Sequence, residues 1–488
     1  MNKMNYILTA FIIISSTFAV AQNNIMNTFN KIKNEKVLEN ASISFRVIDL
    51  DADSAIAEYN SYNSLVPAST MKIVTTAAAL VSLGSYTSFK TSLQYDGTID
   101  SNGVLNGNLY IKGGGDPTLG SKYYLKKDEN SSDFMLNWVA EIQKLGIKEI
   151  KGAVIGDASH FSYEGVPSTW LWGDMGNYYG AGTSGLTIYD NLTYLSFTSG
   201  PNAGDSTFIN CVTPVIPNQQ FNNQVKAANS NKDNAYVYSA PYSDLRLIKG
   251  SIPKGRDEFT IKASMTDPAY QAAWDLEYYL LSAGIKIQYG ATTKRKMELA
   301  GLKTEETRSN FYTQKSPSIA RIVYQTNHVS NNLYAESLLN QIGKKRSNEG
   351  SNYAGAMAVK SFWSKHINTS GMYISDGSGM SRMNAISAYH LTSILRYMKK
   401  SKNYKSFYTS LPIAGKSGTM SRIGRKTYAS GRLRAKSGTM TRVKSYAGYV
   451  KSKSGKNLAF AIIVNNYNCY TSTMTKKLEK IMVAVANH

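Results

Sequence analysis

Ser69-Thr70-Met71-Lys72, behind the turn Val66-Pro67-Ala68 and ahead of the apolar run from Ile73 to Leu83, decides how the rest of this chain is read. Residues three apart at the start of a helix share a face about one turn from each other, so the spacing sets an amine beside a hydroxyl. A serine is a poor nucleophile at neutral pH until a neighbouring base takes its proton, and an uncharged lysine in a desolvated site can be that base. The pair therefore reads as an acyl-transfer nucleophile. A second S-x-x-K match, Ser251 to Lys254, has Pro253 at its third position, which is barred from a helix interior and is expected in a loop.

On either side of the Ser69 helix the pattern is that of an antiparallel sheet. Ser42 to Leu50 and Ser54 to Tyr59, separated by Asp51-Ala52-Asp53, alternate apolar and polar residues as a hairpin does. Near the other end, Arg432 to Ser437, Ser445 to Val450 and Leu458 to Val464 read as three strands, with Lys451 to Lys456 as the turn between the last two. Thr473 to Ala486 then spaces Leu478, Ile481, Met482 and Val485 for one face of a C-terminal helix. Both chain ends thus contribute to one sheet. Between them, Leu93 to Gly290 carries many short strand-like runs, such as Asn106 to Lys112, Ala153 to Asp157 and Phe259 to Ala263, broken by one helical segment, Phe134 to Leu145. The organisation read from this is a leader over 1–21, a discontinuous catalytic domain over 22–93 and 291–488, and an inserted region over 94–290. Two subdomains are expected in the insertion, about 94–117 with 207–290, and about 118–206.

Two more clusters carry chemistry. Within the helical stretch Pro317 to Asn340, Ser330-Asn331-Asn332 interrupts the apolar spacing; a hydroxyl and a carboxamide two apart can hand a proton to a leaving group and hold a substrate amide. Lys436-Ser437-Gly438-Thr439, near the end of a predicted strand, offers positive charge, a glycine that lets a substrate backbone come close, and two hydroxyls suited to a carboxylate. Lys416-Ser417-Gly418-Thr419 repeats the same residues but follows Leu411-Pro412-Ile413 and reads as a loop, so the later copy, which opens the strand, strand, strand, helix succession, is preferred.

Composition bounds the setting. Met1-Asn2-Lys3, the apolar Tyr6 to Ile14 and Ala19-Val20-Ala21 have the three parts of a secretory signal, which predicts export to the periplasm or cell envelope. Net charge is +22; in an exported protein that points to anionic envelope polymers or a peripheral membrane surface, not to nucleic acid. The two cysteines, Cys211 and Cys469, do not make a disulfide framework and are expected as unpaired thiols. His160, His328, His366, His390 and His488 lack metal-ligand spacing, and Gly113-Gly114-Gly115-Asp116-Pro117 lacks the lysine of a phosphate loop, so no metal and no cofactor is expected.

S-x-x-K, S-x-N and K-S/T-G in this order form a set related to those of penicillin-binding proteins and β-lactamases. The chain resembles the low-molecular-mass class C penicillin-binding proteins, D-alanyl-D-alanine carboxypeptidase/endopeptidases. Leu109 to Leu119, with its Gly113-Gly114-Gly115-Asp116-Pro117 turn, Asp376-Gly377-Ser378-Gly379-Met380-Ser381-Arg382, and Leu411-Pro412-Ile413-Ala414-Gly415 resemble further stretches of that group, and the long gap between Lys72 and Ser330 sets it apart from simple β-lactamases. The resemblance implies an α+β fold, a penicillin-binding-protein/β-lactamase-like domain whose antiparallel sheet is flanked by helices, with a large, mostly β insertion. It also implies roles. Ser69 attacks the D-Ala-D-Ala carbonyl and Lys72 takes its proton; Ser330 relays a proton to the departing amine, Asn332 binds the acyl-side amide, and Lys436 supports the relay. Ser437 and Thr439 bind the terminal carboxylate beside Gly438, and the backbone N–H groups of Ser69 and Thr439 form the oxyanion hole. Substrates are then peptidoglycan stem peptides, with β-lactams as covalent inhibitors. Asn331 stands where aspartate is frequent, and Ser437 where threonine is more usual. The rival readings are a β-lactamase and a catalytically silent wall-binding protein of the same fold.

Overall fold

The computed structural model describes residues 24–488. The expected leader over 1–21 lies outside them, and among the described residues no helix is long and apolar enough to cross a membrane. The chain divides into two compact units. One takes the described residues up to Ser85 together with Val323–Asn331 and Val359–His488; the other takes Tyr86–Ile322 and Asn332–Ala358.

The first unit is built on a five-stranded antiparallel sheet in the order Arg434–Met440, Val443–Lys451, Asn457–Asn465, Ser42–Asp49, Ser54–Tyr59. The hairpin and the three C-terminal strands stand where alternation placed them, with the first and last strands of the chain joined along Ser42 to Asp49. Because successive side chains point to opposite faces, a central strand buried on both sides reads as a continuous apolar run. Asn457–Asn465 is such a strand. Its Leu458, Phe460, Ile462 and Val464 join Phe45 and Val47 in a core with Leu478, Ile481, Met482 and Val485 of the C-terminal helix Thr471–Asn487. Ile25, Phe29 and Ile32, from a helical stretch over 24–33, complete that layer, with the Phe29 and Phe45 rings stacked 4.8 Å apart.

On the other face lie the small buried residues Ala447, Ala459 and Ala461. The nucleophile helix Met71–Ala79 is buried along its whole length, the signature of a helix inside a core and not on its surface. It continues into one wide turn over Leu80–Gly84, and its Val74 carbonyl accepts the indole N–H of the buried Trp363 at 3.2 Å. The helix Ala388–Lys400 supports it with Leu391, Ile394, Leu395 and Met398, all buried.

The second unit contains four further sheets, of three to five strands, with the helices Asp133–Lys144 and Pro268–Ser282 among those that support them. Pairing runs across the boundaries read from the sequence. Ala291–Thr293 pairs in parallel with Val154–Asp157, which pairs in parallel with Leu109–Lys112, and Ser309–Lys315 pairs with Lys90–Tyr95. Likewise Leu192–Ser199 lies between Thr207–Thr213 and Arg256–Ser264. Parallel pairs join segments far apart in sequence, so composition alone does not reveal them. Ser251, expected in a loop, lies in the strand Leu245–Pro253; the proline ends the strand, a position where its missing N–H is tolerated. Cys211 and Cys469 are both unpaired.

Phe45→Ala is expected to destabilise the protein by about 3–5 kcal/mol through the cavity left against Phe29 and the C-terminal helix. Urea denaturation of wild type and variant checks it, and a change below about 1 kcal/mol would contradict this placement of the strand.

Candidate active site

The nucleophile turn is held in a conformation that its residues do not favour. Ala68 has φ +46°, in the left-handed region that costs an L-residue on the order of 1 kcal/mol or more. Four hydrogen bonds hold the turn. The Pro67 carbonyl accepts from the Thr70 hydroxyl at 2.7 Å and the Ser445 hydroxyl at 2.6 Å. Asn465, from the central strand, brackets Val66, accepting from its N–H at 2.9 Å and donating to its carbonyl at 3.0 Å. Gly379 (φ +84°) backs the turn so closely that a Cβ there would sit 1.9 Å from the Ala68 carbonyl oxygen.

Ser69 emerges from this turn half-buried, and Lys72 is fully buried one turn later. The Lys72 amine donates to Ser69 Oγ at 3.2 Å and to the Ser378 carbonyl at 2.8 Å. Thr75, on the same helix, donates to the neighbouring Gly377 carbonyl at 2.8 Å, so the segment after Asp376 is seated along the nucleophile helix. Asp376 is itself fully buried and accepts from the Gly379 N–H and the Asn384 side chain at 2.7 Å each.

Ser330 sits in the break between the helices Ile319–His328 and Asn332–Ser347, with φ +63°. Its segment is tied to the nucleophile helix by Asn327, which donates to Thr76 Oγ1 at 3.1 Å and Ser410 Oγ at 2.9 Å, while Thr76 donates to the Lys72 carbonyl at 2.5 Å. The Lys436 amine, from the edge strand Arg434–Met440, donates to Ser330 Oγ at 2.9 Å and to the Ser437 carbonyl at 2.8 Å. Burial, with the charges of Lys72 and Lys444 nearby, holds that amine well below the ordinary lysine value.

Gly438 explains how the edge strand reaches the nucleophile. A Cβ at this position would lie 2.2 Å from Ser445 Oγ, 2.6 Å from the Pro67 carbonyl oxygen and 3.0 Å from the Ser69 nitrogen. Only glycine permits that approach. Ser437 is half-buried and its hydroxyl donates to Thr419 Oγ1 at 2.9 Å; Thr439 is exposed and its Oγ1 accepts from the Lys444 amine at 2.6 Å.

The first unit therefore brings together Ser69 with Lys72, and Ser330 with Lys436, Ser437, Gly438 and Thr439 on the adjoining strand. Asn332 begins a helix of the second unit, and its side-chain nitrogen donates to the Tyr179 carbonyl at 2.8 Å. Lys416, in the competing motif, is exposed, whereas Lys436 is fully buried. Yet that motif contributes Thr419, a residue the sequence reading had set aside. Ser378, Asn327, Asn465 and Lys444 were also missed. Of these, only Ser378 carried a signal, lying in the Asp376 to Arg382 stretch. Among the described residues no group of three His, Cys, Asp or Glu side chains is placed to hold a metal ion.

Comparison with known proteins bears on what this arrangement does. The D-Ala-D-Ala carboxypeptidase 3 (S13) family matches residues 26–488. D-alanyl-D-alanine carboxypeptidase DacB of Haemophilus influenzae is 27% identical over 489 residues, spanning 96% of this chain and 94% of its own. A D-alanyl-D-alanine carboxypeptidase of an Actinomadura species is 27% identical over 451 residues, 90% of this chain and 80% of its own. The crystal structure of penicillin-binding protein 4 from Haemophilus influenzae superposes with a TM-score of 0.80 at 26% identity, covering 94% of this chain and 98% of that one. A second crystal structure of that protein, complexed with a β-lactam, superposes with a TM-score of 0.74 at 23% identity over 95% and 98% of the chains. With its match extending over nearly the whole sequence, the chain belongs to the D-Ala-D-Ala carboxypeptidase 3 (S13) family.

Proposed function

We propose that this carboxypeptidase cleaves the terminal D-Ala from peptidoglycan stem peptides through an acyl-enzyme on Ser69, and that it also opens D-Ala cross-links. The observation that carries the reading is the pair of amine–hydroxyl contacts in one unit, Lys72 to Ser69 at 3.2 Å and Lys436 to Ser330 at 2.9 Å. Uncharged Lys72 takes the Ser69 proton as Oγ bonds to the carbonyl carbon of the penultimate D-Ala. The developing oxyanion is received by the backbone N–H groups of Ser69 and Thr439, an interaction worth a few kcal/mol per donor. Ser330 passes a proton to the departing D-Ala nitrogen as the C–N bond breaks, and is resupplied by Lys436, whose depressed basicity suits it to give up and regain a proton. Asn332 holds the acyl-side amide; Ser437 and Thr439 hold the terminal carboxylate beside Gly438. Water then cleaves the ester, releasing the shortened peptide and regenerating Ser69.

β-Lactams enter the same scheme as acylating agents of Ser69, by analogy with the β-lactam complex of the related penicillin-binding protein 4. The site of action in this reading is the exported compartment, to which the signal expected over residues 1–21 would direct the chain. The basic surface expected there would favour anionic envelope polymers.

Incubation with benzylpenicillin followed by peptide mass spectrometry is expected to place one adduct on Ser69, and Ser69→Ala to abolish both the adduct and D-alanine release. Wild-type protein that forms neither adduct nor D-alanine would remove this reading. Ser330→Ala is expected to lower kcat about 10²- to 10⁴-fold as the relay is cut. For Lys436 the sign is set by its role as the proton source for Ser330: its charged fraction shrinks as pH rises, so kcat/KM should fall as pH passes through its depressed value. Lys436→Arg stays charged throughout and cannot give up its proton, so it is expected to turn over slowly and to lose that fall, and a variant with an unchanged profile would contradict the relay.

A further inference from the structure

Lys444 belongs to none of the three motifs, yet it is built into their edge. It lies on Val443–Lys451 directly opposite Thr439 in the antiparallel register, and only 7% of it is exposed. Its amine donates to Thr439 Oγ1 at 2.6 Å and stands 5.0 Å from the centre of the Tyr446 ring on its own strand. Among the described residues no carboxylate lies within ion-pair distance of it. Burial alone pushes it down to about 8, which leaves it charged at neutral pH. A buried ammonium with no protein counter-charge is expensive to keep, and the fold keeps this one beside another buried lysine, Lys436. Such a site is matched by an anion supplied from outside.

We propose that Lys444 is the positioning residue that makes this enzyme select substrates ending in a free α-carboxylate. The inference rests on the Ser69 acyl-enzyme reading and adds to it how the carboxyl end is recognised. An ammonium can only donate hydrogen bonds, so Thr439 Oγ1 must accept from Lys444, and the single hydroxyl hydrogen of Thr439 is turned away from the lysine. Thr439 is exposed, so that hydrogen is presented where the carboxyl end of a substrate would lie. Lys444 thus fixes the direction of the Thr439 donor and adds a positive charge behind it, in a partly dehydrated setting where charge–charge attraction is stronger than in water. A neutral side chain at 444 would leave the Thr439 hydroxyl free to turn and the carboxylate without its nearest cation.

The test compares an acyl-D-Ala-D-Ala peptide with its C-terminal amide, using wild type, Lys444→Met, Lys444→Arg and Thr439→Val. Lys444→Met is expected to raise KM for the free acid about 10- to 100-fold with kcat within about threefold, and to leave the amide unchanged. Unchanged turnover of the amide also reports that the variant is folded. Lys444→Arg should recover a substantial part of the loss, and adding Lys444→Met to Thr439→Val should weaken free-acid binding by clearly less than the Lys444→Met substitution does alone, because part of the lysine's effect acts through that hydroxyl. An unchanged KM for the free acid, an equal loss on acid and amide, or full additivity of the two substitutions would overturn the proposal while wild type still releases D-alanine. Wild type that neither releases D-alanine nor takes up penicillin would instead sink the Ser69 reading, and this inference with it.

Discussion

The edge strand Arg434–Met440 must come almost into van der Waals contact with the backbone of the Ser69 turn, and the rest of the site follows from that constraint. Gly438 makes the approach sterically possible, and the two hydroxyls on the Pro67 carbonyl, from Thr70 and Ser445, lock the turn against the neighbouring strand. Once strand and turn are joined, Lys436 is carried to Ser330 on one side and Thr439 to Lys444 on the other. Asn327 and Thr76 bind the Ser330 segment to the helix that carries Lys72, so the two amine–hydroxyl pairs are referenced to one rigid element. Placing reacting groups on packed helices and strands is what allows sub-ångström positioning to survive thermal motion.

Much of this was legible in the sequence because it was written in local periodicity. The hairpin Ser42–Asp49 with Ser54–Tyr59, the three C-terminal strands and the last helix follow from alternation and from i, i+3, i+4 spacing, which depend only on neighbours along the chain. The S-x-x-K spacing was equally direct, since one helical turn brings Lys72 to Ser69. Ser330 was found as a polar interruption between two apolar stretches, and the structure places it at a break with positive φ, where helix geometry cannot continue.

What escaped was set by tertiary contact. Lys444 reads as one more basic residue in a chain of charge +22, and only register opposite Thr439 gives it a partner. Thr419 was discarded with a duplicate motif whose lysine is indeed exposed, although its threonine meets Ser437. Asn327 and Asn465 bond to atoms far away along the chain, which no periodicity anticipates. The same reason accounts for the boundaries in the second unit, where strands such as Ala291–Thr293 and Val154–Asp157 pair in parallel across long separations.

These functional groups sit against the grain of stability, and their surroundings show how that is tolerated. Ala68 and Ser330 hold left-handed backbone, and Lys72, Lys436 and Lys444 are lysines in places where folding alone would prefer apolar side chains. Each is over-determined by its neighbours: the Ser378 and Ser437 carbonyls accept from Lys72 and Lys436, and hydroxyls of Ser69, Ser330 and Thr439 accept from the three amines. Hydrogen bonds satisfy the donors but do not neutralise the charge, and burial, followed by repulsion from the nearby Lys72 and Lys444 charges, holds down the basicity of Lys436. That residual repulsion is useful to an acyl-transfer enzyme in two ways. It keeps a lysine able to release its proton to a serine relay, and it draws in a substrate whose end is negatively charged. The apolar two-sided sheet beneath, with Phe45, Phe460 and Ile462 on one face and the buried nucleophile helix on the other, supplies the burial that lets such a site persist.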